Sequence, residues 1–151
     1  MGNIFNEDFI DFIEALNHND VRYIVVGGYA VILHGYSRTT GDLDIWVERS
    51  EQNYKKLFLA FKEFKMPVFD MTVENFLDVK RYDVFTFGLP PSSIDILTSV
   101  KGLDFGDAFK NASMITNEKL ILRLIDWRDL IAAKKSSGRY KDKDDIDNLD
   151  K

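Results

Sequence analysis

The chain has 151 residues, 45% of them hydrophobic and 30% charged, with a formal net charge of −5. That balance belongs to an ordinary globular protein, expected as one domain over residues 1–151, and excludes a disordered or fibrous chain. With no cysteine and only His18 and His34, disulfides and thiolate metal sites are excluded, and any metal must be held by oxygen ligands, which suits magnesium, manganese or calcium.

Residues 5–16 place Phe5, Phe9, Ile10, Phe12, Ile13 and Leu16 close to helical spacing, and the polar run 17–20 stops the pattern, so an amphipathic helix opens the chain. Residues 23–26 are a short β-branched and aromatic run, ended by Gly27 and Gly28. Residues 29–34 then form a helix before Gly35. The local unit is strand, glycine turn, helix.

From 42 to 47 the chain alternates strictly, with Leu43, Ile45 and Val47 on one face and Asp42, Asp44 and Trp46 on the other. It is expected as a strand with one buried face. Ser50 caps a helix running to Phe64, with Tyr54, Leu57, Phe58, Phe61 and Phe64 as its apolar stripe. A shorter helix follows over 73–79.

Residues 84–87 and 94–97 read as strands joined by a glycine, leucine, two prolines and two serines, the pattern of an antiparallel hairpin. A short helix over 105–109, strands over 113–116 and 120–124, and a helix capped by Asp126 and running to Ser136 come next, with a further helix over 140–149. The fold class is therefore α/β (α+β), a mixed β-sheet flanked by helices. No stretch approaches the roughly 20 apolar residues that cross a bilayer, and acidic residues stand where a signal peptide is basic, so a cytoplasmic protein without a membrane partner is expected. The negative charge argues against a broad phosphate-tracking surface.

Asp42 and Asp44 stand at i and i+2 of a strand, so their side chains point the same way, with Cα atoms about 6–7 Å apart at a rise of about 3.3 Å per residue. Like charges there are costly unless one carboxyl takes a proton or a cation lies between them; a solvated edge-strand face is the alternative. Gly27 and Gly28 open a helix after a strand, where backbone N–H groups receive phosphate oxygens, although a tight turn alone also uses glycine. Neither a Walker A sequence nor a G-x-G-x-x-G fingerprint is present, which counts against P-loop and dinucleotide-binding alternatives.

Arg38, just before the acids, can pair with a phosphate or remain a solvated surface charge. Lys134, Arg139 and Lys141 form a basic cluster on or after a helix, suited to neutralising a leaving pyrophosphate or to an ordinary solvated helix end. Trp46 shares a face with the acids and suits base stacking or core packing. His34 reads as structural.

Joined together, these features gain meaning. Val25-Val26-Gly27-Gly28, then thirteen residues, then Asp42-Leu43-Asp44-Ile45 resembles the signature of the DNA polymerase beta nucleotidyltransferase superfamily, with the spacer toward the long end. Asp95 in Ser93-Ile94-Asp95-Ile96-Leu97 fits that superfamily's third acid on a later strand. Gly27-Gly28-Tyr29-Ala30, His34-Gly35, Arg38-Thr39-Thr40 and the later Asp129-Leu130-Ile131, Lys134-Lys135, Gly138-Arg139 and Lys141-Asp142 resemble the small bacterial nucleotidyltransferases related to abortive-infection toxins.

The resemblance implies a nucleotidyltransferase fold and transfer of a nucleoside monophosphate from a nucleoside triphosphate to an acceptor, with release of pyrophosphate. It implies Asp42, Asp44 and Asp95 as ligands of Mg2+ or Mn2+, with Asp95 also placed to take the acceptor proton, and Gly27 and Gly28 as a cradle for the triphosphate. The acceptor is left open among RNA, protein and a small hydroxylated molecule. A non-catalytic nucleotide-binding module, or one component of a toxin–antitoxin pair acting with a separate partner, is the alternative.

Overall fold

The computed structural model describes residues 4–89 and 92–137. Helix α1 (Glu7–His18) starts two residues later than the apolar spacing alone suggests, because the Asn6 side chain accepts the Phe9 N–H at 2.8 Å and caps it. Phe5 lies ahead of the cap, its ring stacked 4.9 Å from that of Tyr29.

Strand β1 (Tyr23–Val26) leads directly into helix α2 (Gly27–Leu33), and strand β2 (Leu43–Val47) precedes helix α3 (Glu51–Glu63), which Ser50 caps. The next helix, α4 (Val73–Phe76), is shorter than expected. Its continuation is diverted by Asp78, whose carboxylate accepts the Lys80 and Arg81 backbone N–H groups and folds the chain into a turn. Strands β3 (Val84–Phe87) and β4 (Ile94–Leu97) form the expected antiparallel pair. Helix α5 (Phe105–Asn111), strands β5 (Ser113–Asn117) and β6 (Leu120–Leu124) and helix α6 (Trp127–Ser137) complete the described chain. The helix expected over 140–149 lies outside the described residues.

The strands form one six-stranded sheet in the order β3-β4-β2-β1-β6-β5, with β2/β4 and β1/β6 parallel and the other pairs antiparallel. Register and parity put Val25, Leu43, Ile45, Val47, Phe85, Phe87, Ile94, Ile96, Leu122 and Leu124 on one face. Helices α1 and α3 close over it, their Phe12 and Phe61 rings meeting edge to face at 5.5 Å and Phe61 reaching Phe87 at 4.8 Å. Asn53, buried in α3, accepts the Arg22 N–H at 2.8 Å and donates to the Arg22 and Glu48 carbonyls, fastening this helix to the chain at the ends of β1 and β2.

The opposite face carries Ile24, Val26, Asp44, Trp46, Asp95 and Leu97. Here the expectation of one buried face for β2 is corrected. Trp46 is 1% exposed because Phe105 of α5 lies edge-on to its indole at 5.2 Å. Only Asp44 in this strand is incompletely buried. Among the described residues, no helix is long and apolar enough to cross a membrane.

Candidate active site

The parallel pairing of β2 with β4 sets Asp44 directly opposite Asp95. One position before the ladder, the Leu43 N–H donates to the Ser93 carbonyl at 3.0 Å, and the Ser93 hydroxyl donates to Asp42 Oδ1 at 2.7 Å. Two successive same-face rungs thus hold an aspartate–serine pair and an aspartate–aspartate pair. All three carboxylates line a pocket of about 370 Å³.

The floor of that pocket comes from the turn between β1 and α2. Gly27 has φ +70°, a left-handed value that side chains rarely adopt, and a Cβ added there would collide with the Asp44 carboxylate. A Cβ on Gly28 would strike Thr40 and lie 3.2 Å from Arg38 Nη1. Both glycines therefore admit neighbours that any side chain would displace, and both line the pocket together with Arg38, Thr40 and Gly41.

Lys134 enters from α6. It is 6% exposed, shares the buried side of the helix with Leu130 and Ile131, and lines both the acidic pocket and an adjoining, more apolar one of about 210 Å³ that also shares Gly27, Asp44 and Leu97. It is not a solvated helix end. Arg139 and Lys141 lie outside the described residues.

The electrostatics follow from the crowding. Asp44 has its pKa pushed up to about 7, first by burial, then by the charge of Asp95 and a hydrogen bond with it, then by Asp42, with Lys134 opposing the rise. Asp95 Oδ1 is buried without a hydrogen-bond partner. Among the described residues no group of three acidic or histidine side chains is closed into a metal cage.

Trp46 is a core residue and does not line the pocket. His34 is structural: its Nε2 is 2.8 Å from the Ile125 carbonyl, which can only accept, so that nitrogen carries the proton and ties the end of α2 to the segment after β6. Sequence reasoning quoted Ser93 and Thr40 within their motifs but gave neither a role in the site. The signal for Ser93 was present, since it stands two residues before Asp95 and so shares its face.

No family model and no curated protein matches the chain. Solved structures do. A Thermotoga maritima protein provisionally assigned as a nucleotidyltransferase superposes with a TM-score of 0.58 at 13% identity, over 93% of this chain and 88% of its own. The lincosamide antibiotic adenylyltransferase LnuA, solved with lincomycin bound, superposes with a TM-score of 0.57 at 18% identity, over 99% of this chain and 98% of its own. At these identities the likeness is one of fold, and the mixed sheet with flanking helices is the fold these proteins share.

Proposed function

We propose that the chain is a nucleotidyltransferase, moving a nucleoside monophosphate from a nucleoside triphosphate to a hydroxyl acceptor. The observation that carries this reading is the pair of rungs on β2 and β4, which bring Asp42, Asp44 and Asp95 into one pocket with Gly27, Gly28 and Lys134. The fold shared with an adenylyltransferase supports it.

The donor set is all oxygen, and the buried Asp95 Oδ1 without a partner is an atom that a cation would satisfy, so the residues fit Mg2+ or Mn2+ held by Asp42, Asp44 and Asp95. When bound, such ions supply charge neutralisation for the triphosphate and for the attacking and leaving oxygens. The chain's own residues do the rest. Gly27 and Gly28 bring backbone N–H groups to the phosphates. Lys134 and Arg38 set positive charge beside the pyrophosphate as it leaves. Asp95 takes the proton of the acceptor hydroxyl as its oxygen bonds the α-phosphorus and the bond from that phosphorus to the pyrophosphate oxygen breaks.

For the acceptor we favour a small hydroxylated molecule, because the lincosamide antibiotic adenylyltransferase LnuA, solved with lincomycin bound, shares the fold over 99% of this chain. The test is incubation with each labelled triphosphate, magnesium or manganese, and separate pools of small hydroxylated compounds, RNA and protein. Label should pass to the small-molecule pool with release of pyrophosphate, and Asp42→Asn should abolish it. Label in RNA or protein would replace the acceptor reading. Absence of transfer to every pool, with no divalent-dependent binding of triphosphate, would remove the enzymatic one.

A further inference from the structure

We propose that Ser93 is the positioning residue of this site, setting the Asp42 carboxylate for the divalent cation; the inference rests on the reading of Asp42 as a metal ligand. Ser93 is 2% exposed, its Oγ donates to Asp42 Oδ1 at 2.7 Å, and its carbonyl accepts the Leu43 N–H at 3.0 Å. Backbone and side chain of one residue therefore fix the strand end and the carboxylate together. Ser93 does not line the acidic pocket, so it acts through Asp42 and touches no substrate.

The chemistry of the two rungs explains why a hydroxyl belongs here. On the Asp44–Asp95 rung a carboxylate faces a carboxylate, whereas a serine on the neighbouring rung faces Asp42 with a neutral donor. The hydroxyl occupies Asp42 Oδ1 and fixes the orientation of the carboxylate in the pocket that Asp42 lines. An alanine would leave the carboxylate to rotate, and an acid would add a fourth charge. Partners that orient metal-binding carboxylates in this way commonly set metal affinity by about 10–100-fold.

The experiment is binding of Mn2+ alone, followed by its electron paramagnetic resonance signal, to the parent, Ser93→Ala and Ser93→Thr, with thermal melts of each in chelator. Ser93→Ala should bind Mn2+ about 10-fold more weakly, and Ser93→Thr, which keeps the hydroxyl, should recover most of that loss. A purely structural serine would lower the melting temperature in chelator and leave Mn2+ affinity unchanged. Parent-like Mn2+ affinity in Ser93→Ala would overturn the proposal, as would a folded Ser93→Thr that binds no better than Ser93→Ala. If Ser93→Thr does not fold, the Ser93→Ala affinity decides alone. A parent protein that binds no Mn2+ would overturn the metal site itself, an outcome distinct from a parent that binds and a Ser93→Ala that binds equally.

Discussion

Replacing Asp44 with asparagine tests the electrostatics of the site most directly. Asp44 has a pKa pushed from 3.8 up to about 7, mainly by burial and then by Asp95. In the unfolded chain the carboxyl ionises near pH 4, whereas in the folded, metal-free protein it keeps its proton until about pH 7. Over that interval the folded state binds more protons, so stability falls as pH rises, and above pH 7 the loss is complete and constant. Each tenfold change in proton affinity is worth about 1.36 kcal/mol, so the rise at Asp44 corresponds to about 4 kcal/mol, and the solvent that still reaches this side chain reduces the expectation to about 2 kcal/mol. Asparagine keeps the shape and can still donate to Asp95, but carries no charge. In chelator, Asp44→Asn should therefore melt above the parent at pH 8, and the advantage should shrink toward pH 5. For a chain of this size the gap at pH 8 should be about 4–8 °C. The same variant should gain less than the parent from magnesium plus triphosphate, since a ligand stabilises only through its affinity for the folded state. Melts at the two pH values, with chelator and with ligand, read both effects. A gap that does not change with pH, or an asparagine variant less stable than the parent at pH 8, would refute the reasoning.

Gly27→Ala should destabilise the protein by about 1–3 kcal/mol, because alanine is strained at the positive φ, and its Cβ meets the Asp44 carboxylate; a melting temperature equal to the parent's would contradict the packing described. Lys134→Met keeps the length and apolar stem of the buried side chain while removing its charge, and should weaken triphosphate binding in magnesium by about 10-fold or more, measured by calorimetry. Asn53→Ala removes one acceptor and two donors far from the acids and should cost about 2–4 kcal/mol in denaturant melts while leaving Mn2+ affinity unchanged. A loss of Mn2+ binding in that variant would show that the site depends on more than its own rungs.

Local patterns determined most of the elements. Period-two alternation in Leu43–Val47 and helical spacing in Glu51–Glu63 are properties of a few neighbouring residues, and a cap such as Ser50 acts within one turn, so these were legible without knowledge of the rest of the chain. Parity likewise put Asp42 and Asp44 on one face, and the order of glycines and acids pointed to the chemistry to look for. The structure alone decided what opposes what. Asp44 meets Asp95, and Asp42 meets Ser93, only because β2 and β4 pair in parallel in one register, and a shift of one residue would send Asp95 to the other face. Trp46 became core because Phe105, distant in sequence, closes over it, and Lys134 became part of the pocket because α6 packs its Leu130 and Ile131 side inward. Alternation and capping are written in neighbouring residues, whereas register, burial and shifted pKa values depend on residues far apart in sequence, which only the folded chain brings together.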